Sequence, residues 1–449
     1  MTTTSLPAQL AGLADVLPPS AGVDAAGHLR IAGCDLVDLA HEHGTPLFVY
    51  DEAAIETRCT ELTDAFAAAP TPLEGRVAYA SKAFSCPALL RIVAERGLWL
   101  DVSTDGELGV ALAAGFPPER LVMHGNNKTP AELAAARAAG VARIVLDSFD
   151  DVDNLDAVVR DGGGPPQDVL VRLTPGVDAD THEYIRTGHE ESKFGFGWAN
   201  GQALEAVKDV AGRRGLELVG VHSHIGSQIF GLDGFREAAA ALVQFAAEAS
   251  AIVGAPVREL DVGGGLGIAY TAGDVPVAVP DWIAALTSVV ATAAAEAGLD
   301  DPVVYVEPGR ALVGRAGVTL YTVGTIKHLP GVRTYVAVDG GMSDNLRPAL
   351  YGAGYETLVA ARPLAPRDLV ADVAGKHCES GDVLVSDARL PADVRAGDVL
   401  VTPATGAYGY AMANNYNLVG RPAVVFARDG VARVVIRREG LDDVMRLMR

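Results

Sequence analysis

Between about residue 77 and residue 310 the chain alternates eight short apolar runs with Ala-rich stretches, and few folds accept that rhythm. The runs cover 76–80, 98–102, 120–123, 143–146, 168–173, 218–222, 259–262 and 302–306. Each is aliphatic or β-branched and is bounded by Gly, Pro or polar residues, as buried strands are. Segments such as 130–139, 202–213 and 281–297 lie between them and read as helices; Thr129 suits an N-cap and Pro130 the first helical position. Eight strands alternating with helices predict an α/β fold of the (β/α)8 TIM-barrel type. An open doubly wound sheet would usually carry GxGxxG after its first strand, and none is there.

After about residue 317 the texture changes. Runs at 318–326, 334–338, 382–385, 399–402, 423–427 and 431–437 are short and β-rich, with Gly and Pro between them. They predict a second, mostly β domain. The N-terminal segment joins it, since 28–31 and 46–50 also read as strands. The expected domains are therefore 46–317 for the barrel and 1–45 with 318–449 for the β-rich domain. A chain of 449 residues is comfortable for two.

Composition removes several classes of function. The net charge of −21 repels phosphate backbones, which argues against a nucleic-acid partner. No apolar run is long enough to span a membrane, and the N-terminus lacks the basic start and apolar core of a signal peptide, so the expected location is cytoplasmic. Cys34, Cys59, Cys86 and Cys378 are scattered with no CxxC pair, which suggests neither a disulfide framework nor a thiolate metal site.

The predicted strand ends carry the chemistry. A polar or Gly-rich cluster follows every run, and in a barrel these ends converge on the catalytic face. Lys82 ends the first strand in a chain with only six lysines. Low-dielectric barrel walls around it would favour the neutral amine, a nucleophile able to form a Schiff base. Gly263-Gly-Gly265 follows strand seven and Glu307-Pro-Gly-Arg310 follows strand eight, the position where barrels often bind phosphate. Glycine admits close backbone approach, and Arg310 can pair an anion. Glu307 beside such a turn calls for a cation or a protonated nitrogen, and the pyridinium of pyridoxal phosphate is one. His222 and His224, two apart, share a face if the strand is regular. They read as a metal pair, as a ring-stacking cofactor contact, or as satisfied core histidines. The order of residues on the strands does not fit an amidohydrolase metal site, so no metal is expected.

Lys82 in Tyr-Ala-Ser-Lys-Ala83, His224-Ile-Gly-Ser-Gln228, Asp261-Val-Gly-Gly-Gly-Leu-Gly267 and Glu307-Pro-Gly-Arg310 together resemble the fold-type III pyridoxal phosphate-dependent decarboxylases. Asp339–Tyr351, Gly375–Asp382, Thr405–Tyr408 and Asn415–Asn417 extend the resemblance over nearly the whole chain from about residue 45. It implies that Lys82 holds pyridoxal 5'-phosphate as a Schiff base and that His224 stacks on the ring. Ser227, Gly264, Gly265, Gly309 and Arg310 would surround the phosphate, Tyr408 would close the site, and Glu307 would meet the ring nitrogen. Arg310, Arg347, Tyr351, Glu379 and Tyr408 would bind substrate, and Cys378 would donate the proton.

The resemblance further implies decarboxylation of meso-diaminopimelate to L-lysine and CO2 by a homodimer with shared active sites, Cys378 and Glu379 coming from the partner subunit. An Arg with a Glu complements a substrate end bearing both a carboxylate and an ammonium, whereas polyamine-type substrates need no Arg. The rivals are a decarboxylase of ornithine, arginine or a carboxylated polyamine, and a non-catalytic pyridoxal phosphate-binding protein. Such binding proteins are typically a bare barrel, which this chain exceeds. Thr104-Asp105 departs from the Gly-Gly expected after strand two, and 178–193, long and charged, reads as a lid over the substrate.

Overall fold

The computed structural model describes residues 6–71, 73–176 and 192–449, so residues 178–191 of the expected lid lie outside the described residues. The chain divides into two compact units, Arg58–Gly267 with Pro276–Gly309, and Met1–Thr57 with Ile268–Val275 and Arg310–Arg449.

The first unit is a closed barrel. Its strands are β1 (Glu74–Ala80), β2 (Trp99–Val102), β3 (Leu121–Met123), β4 (Arg143–Leu146), β5 (Gln167–Thr174), β6 (Leu216–His222), β7 (Glu259–Asp261) and β8 (Val303–Val306). Each pairs in parallel with the next. The ring closes where Val303–Val306 of β8 pairs with Glu74–Val77 of β1. Helices α1 (Pro87–Glu95), α2 (Asp105–Ala114), α3 (Pro130–Ala139), α4 (Phe149–Gly162), α5 (Gln202–Gly212), α6 (Asp233–Val253) and α7 (Val279–Ala297) alternate with the strands. All eight expected runs are strands of this barrel, with ends shifted by no more than two residues.

Local chemistry explains the helix starts. Thr129 caps α3 by accepting from the Glu132 N–H, while Glu132 reaches back to the Thr129 N–H at 2.9 Å, with Pro130 at the first helical position. Thr104 caps α2 in the same way, its Oγ1 accepting from the Glu107 N–H at 3.2 Å. The Thr104-Asp105 departure is thus a working helix cap, and Glu107 accepts from the Ser103 N–H at 2.6 Å. A bulge at Val219 in β6 brings Gly220 so close to the Glu259 carbonyl that a Cβ there would sit 2.4 Å from its oxygen.

The N-terminal ends of the strands are locked by charge. Arg143 donates to Glu259 at 2.7 and 2.8 Å and to Asp168 at 2.7 Å. Arg76 donates to Glu259 at 3.1 Å and lies over Trp99, 4.9 Å from the ring centroid. In barrels this end serves stability.

The second unit is mostly β. Gly317–Leu329 runs antiparallel to Leu47–Asp51, Val399–Thr402 and Arg333–Val338. Leu47–Asp51 also pairs in parallel with Ala423–Arg428, which forms a hairpin with Val431–Ile436. Arg333–Val338 continues the sheet to Leu369–Ala374 and Val383–Leu390. The unit boundaries differ from 46 and 317. All five residues of Leu47–Asp51 are buried, and the backbone partners on both sides of that strand come from this sheet rather than the barrel. Ile268–Val275, just after β7, also falls in this unit.

Candidate active site

The C-terminal mouth of the barrel gathers six titratable groups from four strands and two strand-end loops. Asp101 comes from β2, Arg172 from β5, His222 from the end of β6, Asp261 from the end of β7, Glu307 from just past β8, and His124 from just past β3; all are buried. His124 Nε2 lies 2.7 Å from Glu307 Oε1, an ion-pair contact, and 3.9 Å from Asp101 Oδ1. His222 Nε2 lies 3.4 Å from Glu307 Oε2. Asp101 Oδ1, His124 Nε2, His222 Nδ1, Asp261 Oδ2 and Glu307 Oε1 are buried without a hydrogen-bond partner among the described residues, so the His124–Glu307 contact is one of charge and distance rather than of hydrogen-bond alignment.

Charge is distributed unevenly there. Burial drives the Asp101 carboxyl up to about 6, and Glu307 adds to the rise. Burial and the same neighbour push Asp261 well above the carboxylate range. Burial pushes Glu307 up too, but His124 and His222 outweigh it and hold that carboxyl well below its ordinary value. Burial lowers His222 to about 3, so its ring is neutral. His124 pays the same desolvation, yet Glu307 and Asp101 outweigh it and raise its pKa. The mouth therefore holds one carboxyl kept ionised, Glu307, beside a histidine whose pKa is raised. One ligand atom from each of Glu307, His124, His222 and Asp261 lies within 4.8 Å of the others.

Lys82 follows β1 in a short 3-10 turn, Ser81–Ala83, with Nζ 4.0 Å from Asp101 Oδ2. Its side chain is 47% exposed, so the expected enclosure by apolar walls does not hold: the turn carries the amine out at the rim. His224 lies beyond the end of β6, so the regular-strand assumption for the His pair fails at its second member. Its Nδ1 accepts from the Gly264 N–H at 3.2 Å, and burial lowers its pKa well below the usual value, which leaves a neutral ring of fixed orientation.

The glycines form a cradle with no room for side chains. A Cβ at Gly264 would meet the Glu307 carbonyl oxygen at 2.0 Å, and one at Gly265, where φ is +114°, would meet the Gly226 oxygen at 2.4 Å. A Cβ at Gly309 would come 3.1 Å from Ala80 and Ala83. The loop bearing Ser227 is sewn to this turn, Ile229 N–H donating to Gly265 O and Gly267 N–H to Ile229 O. A planar ring bearing a phosphate and a basic nitrogen fits this mouth: backbone crowded close for the anion, Glu307 for the nitrogen, Lys82 for a carbonyl carbon.

In the β-rich unit the later motifs converge on His377. Its Nε2 contacts Ser343 Oγ at 2.8 Å and its Nδ1 contacts Asn417 Oδ1 at 2.9 Å. Asp382 accepts from the N–H groups of His377 at 2.8 Å and Met342 at 2.6 Å. This bracing of Gly375–Asp382 leaves Cys378 and Glu379 exposed, with Tyr416 O–H donating to Glu379. Arg347 and Arg310 are both buried in a cage of tyrosines. Arg347 donates to Tyr355 O–H and lies 4.3 Å over Tyr270; Arg310 donates to Tyr270 O–H and lies 4.8 Å over Tyr408. Burial pushes the Tyr355 phenol up to about 12. Arg347 has no carboxylate within ion-pair distance among the described residues, so the cage suits an anion. Tyr351 sits one helical turn from Arg347, half-buried. The sequence reading missed Tyr270, Tyr355, Asp101 and His124. An Asp closing a strand and a His opening the next cluster, His124-Gly-Asn-Asn127, were the available signals.

The family model described as pyridoxal-dependent decarboxylase, pyridoxal binding domain, matches residues 52–314. The diaminopimelate decarboxylase of Mycobacterium tuberculosis strain H37Rv is 47% identical over 441 residues, 96% of this chain and 97% of that protein. That of Bacillus subtilis strain 168 is 48% identical over 421 residues, 94% of this chain and 95% of that protein. The crystal structure of diaminopimelate decarboxylase from M. jannaschii in complex with L-lysine superposes with a TM-score of 0.87 at 32% identity, covering 95% of this chain and 96% of that one.

Proposed function

The chain belongs to the diaminopimelate decarboxylases of the pyridoxal-dependent decarboxylase family, and from that premise we propose that it removes CO2 from meso-diaminopimelate to leave L-lysine. The observation that carries the reading is Glu307, a buried carboxylate kept ionised between two histidines beside a glycine cradle, with Lys82 at the end of the first strand. Pyridoxal phosphate supplies a protonated ring that takes up the electron pair left behind by CO2.

The chain's own groups have the following roles. Lys82 would hold the cofactor through its amine, at the carbonyl carbon that the substrate amine also seeks. Ser227, Gly264, Gly265, Gly309 and Arg310 hold the phosphate, Tyr408 flanks it, and His224 packs its neutral ring on the cofactor face. Glu307 accepts from the ring N–H, and an ionised acceptor there keeps that proton in place. Arg347, Arg310 and Tyr351 take the distal carboxylate of the substrate, and Glu379 its distal ammonium. The thiol of Cys378 delivers a proton to Cα after CO2 leaves.

The working unit in this proposal is a cytoplasmic homodimer whose partner subunit supplies the Cys378 and Glu379 side chains. None of the described helices is long and apolar enough to cross a membrane.

The test is the absorbance of the purified protein loaded with pyridoxal phosphate, followed by addition of meso-diaminopimelate, ornithine or arginine. Lysine and CO2 from diaminopimelate alone support the reading, and turnover of ornithine or arginine instead would replace the substrate. Mixing inactive Lys82→Ala with inactive Cys378→Ala under subunit exchange tests the dimer. A random mix should recover about a quarter of wild-type activity, because half the dimers carry one intact site. No recovery despite exchange places the whole site in one chain.

A further inference from the structure

Two histidines touch the same carboxylate at the barrel mouth, and their surroundings differ. His124 Nε2 lies between two acids, 2.7 Å from Glu307 Oε1 and 3.9 Å from Asp101 Oδ1. Among the described residues His222 has one acid within ion-pair distance, Glu307 Oε2 at 3.4 Å. The two rings meet edge to face with centroids 4.8 Å apart, so they cannot both be cations cheaply. None of the expected site roles involved His124.

We infer that His124 is a positioning residue: as an imidazolium it keeps Glu307 ionised and turned to accept from the ring nitrogen of pyridoxal phosphate. The inference rests on the decarboxylase reading of the site. Three carboxyl groups, Asp101, Asp261 and Glu307, crowd one buried mouth, and burial favours protonating all of them. Lys82 Nζ lies 4.0 Å from Asp101 Oδ2, and Arg172 is paired to Asp147 at 3.4 Å. His224 is neutral and turned to the Gly264 N–H. His124, 2.7 Å from Glu307 Oε1, is the neighbour that does most to hold that carboxyl ionised. Without it, Glu307 competes with Asp261 for a proton. A protonated Glu307 no longer holds a ring N–H, and the ring nitrogen loses its charge.

His124→Gln keeps polarity at the position and removes the charge; His222→Gln is the comparator on the other oxygen of the same carboxylate. Each protein is loaded with pyridoxal phosphate carrying 15N in the ring, and the 15N shift reads the protonation of that atom directly. The Kd of the unlabelled cofactor is measured in parallel by fluorescence. Wild type and His222→Gln should both show a protonated ring nitrogen at neutral pH. His124→Gln should move toward the neutral shift, regain the protonated one as pH falls, and bind the cofactor about tenfold more weakly, equivalent to about 1.4 kcal/mol.

A His124→Gln protein with the wild-type shift and Kd overturns the inference, as does an equal effect of His222→Gln. If His124→Gln does not fold, wild-type protein labelled with 15N-histidine decides. Both His124 ring nitrogens must then carry protons at neutral pH, and a neutral His124 overturns the inference. Failure of wild type to take up pyridoxal phosphate would instead sink the decarboxylase reading itself.

Discussion

The two ends of the barrel are both lined with buried charge, and they treat it in opposite ways. At the N-terminal end Arg143 and Arg76 converge on Glu259, with Asp168 and Glu74 taking the outer donors. The Arg143 guanidinium is held above its ordinary pKa, because Glu259 and Asp168 more than repay its burial. At the C-terminal end Asp101, Asp261 and Glu307 are crowded together, and Asp101 and Asp261 each keep a buried oxygen without a hydrogen bond. The first arrangement is closed on itself and stabilises the strand ends. The second leaves polar atoms poised toward something not supplied by the protein, as binding sites do. Charge that is fully paired fixes structure, while charge that is left partly unpaired is available for chemistry.

Four substitutions can break or sharpen this contrast. Lys82→Ala should abolish covalent capture of the cofactor and nearly all decarboxylation, while thermal stability changes little, since the side chain is half exposed. Borohydride reduction and peptide mapping of the loaded wild type check it, and label on another lysine breaks the assignment. Glu259→Ala should do the reverse. It strands two arginines in a mostly buried network and should cost about 3 kcal/mol in chemical denaturation. Activity per folded molecule should persist, and a lost activity would show that the two ends are not separable.

Asp101→Asn should stabilise the protein at neutral pH while impairing catalysis. The folded-state pKa is raised from 3.8 to about 6, so the native state binds this proton more tightly than the unfolded chain does. The stability linked to this group is then complete below 3.8 and lost as pH rises through about 6. Asn mimics the protonated form, so the variant's melting temperature should exceed wild type at neutral pH, with the gap closing in acid. A destabilised variant at neutral pH would mean that the Asp101 charge is paired as firmly as Glu259. Thr104→Ala has the smallest expected effect, about 1 kcal/mol of stability from the lost cap on α2. Unchanged activity in that variant would show that part of the C-terminal end is scaffold, and a large loss would show that the cap positions Asp101.

The eight apolar runs were enough to place every barrel strand, because strand formation reads out of a few consecutive side chains and their bounding Gly and Pro. The cap at Thr129 was legible for the same reason. So were the strand-end residues Lys82, Glu307 and the Gly263-Gly-Gly265 turn, since a barrel topology fixes where strand ends meet. Leu369–Ala374 was missed as a strand because its short run lies inside an irregular Pro-rich stretch, and its partners, Arg333–Val338 and Val383–Leu390, decide it.

Tertiary structure alone decided the environment of each group. Lys82 reads as enclosed in sequence and is half exposed in the fold. The tyrosines around Arg347 lie at positions 270 and 355, and only folding brings residue 270 to them. His124 and His222 are the same residue type at the ends of β3 and β6, yet one is raised toward the cation and the other is held neutral. Sequence determined the strands because their cause is local. The charge states were decided by the fold, because burial and the field of acids from three other strand ends act only once those ends have met.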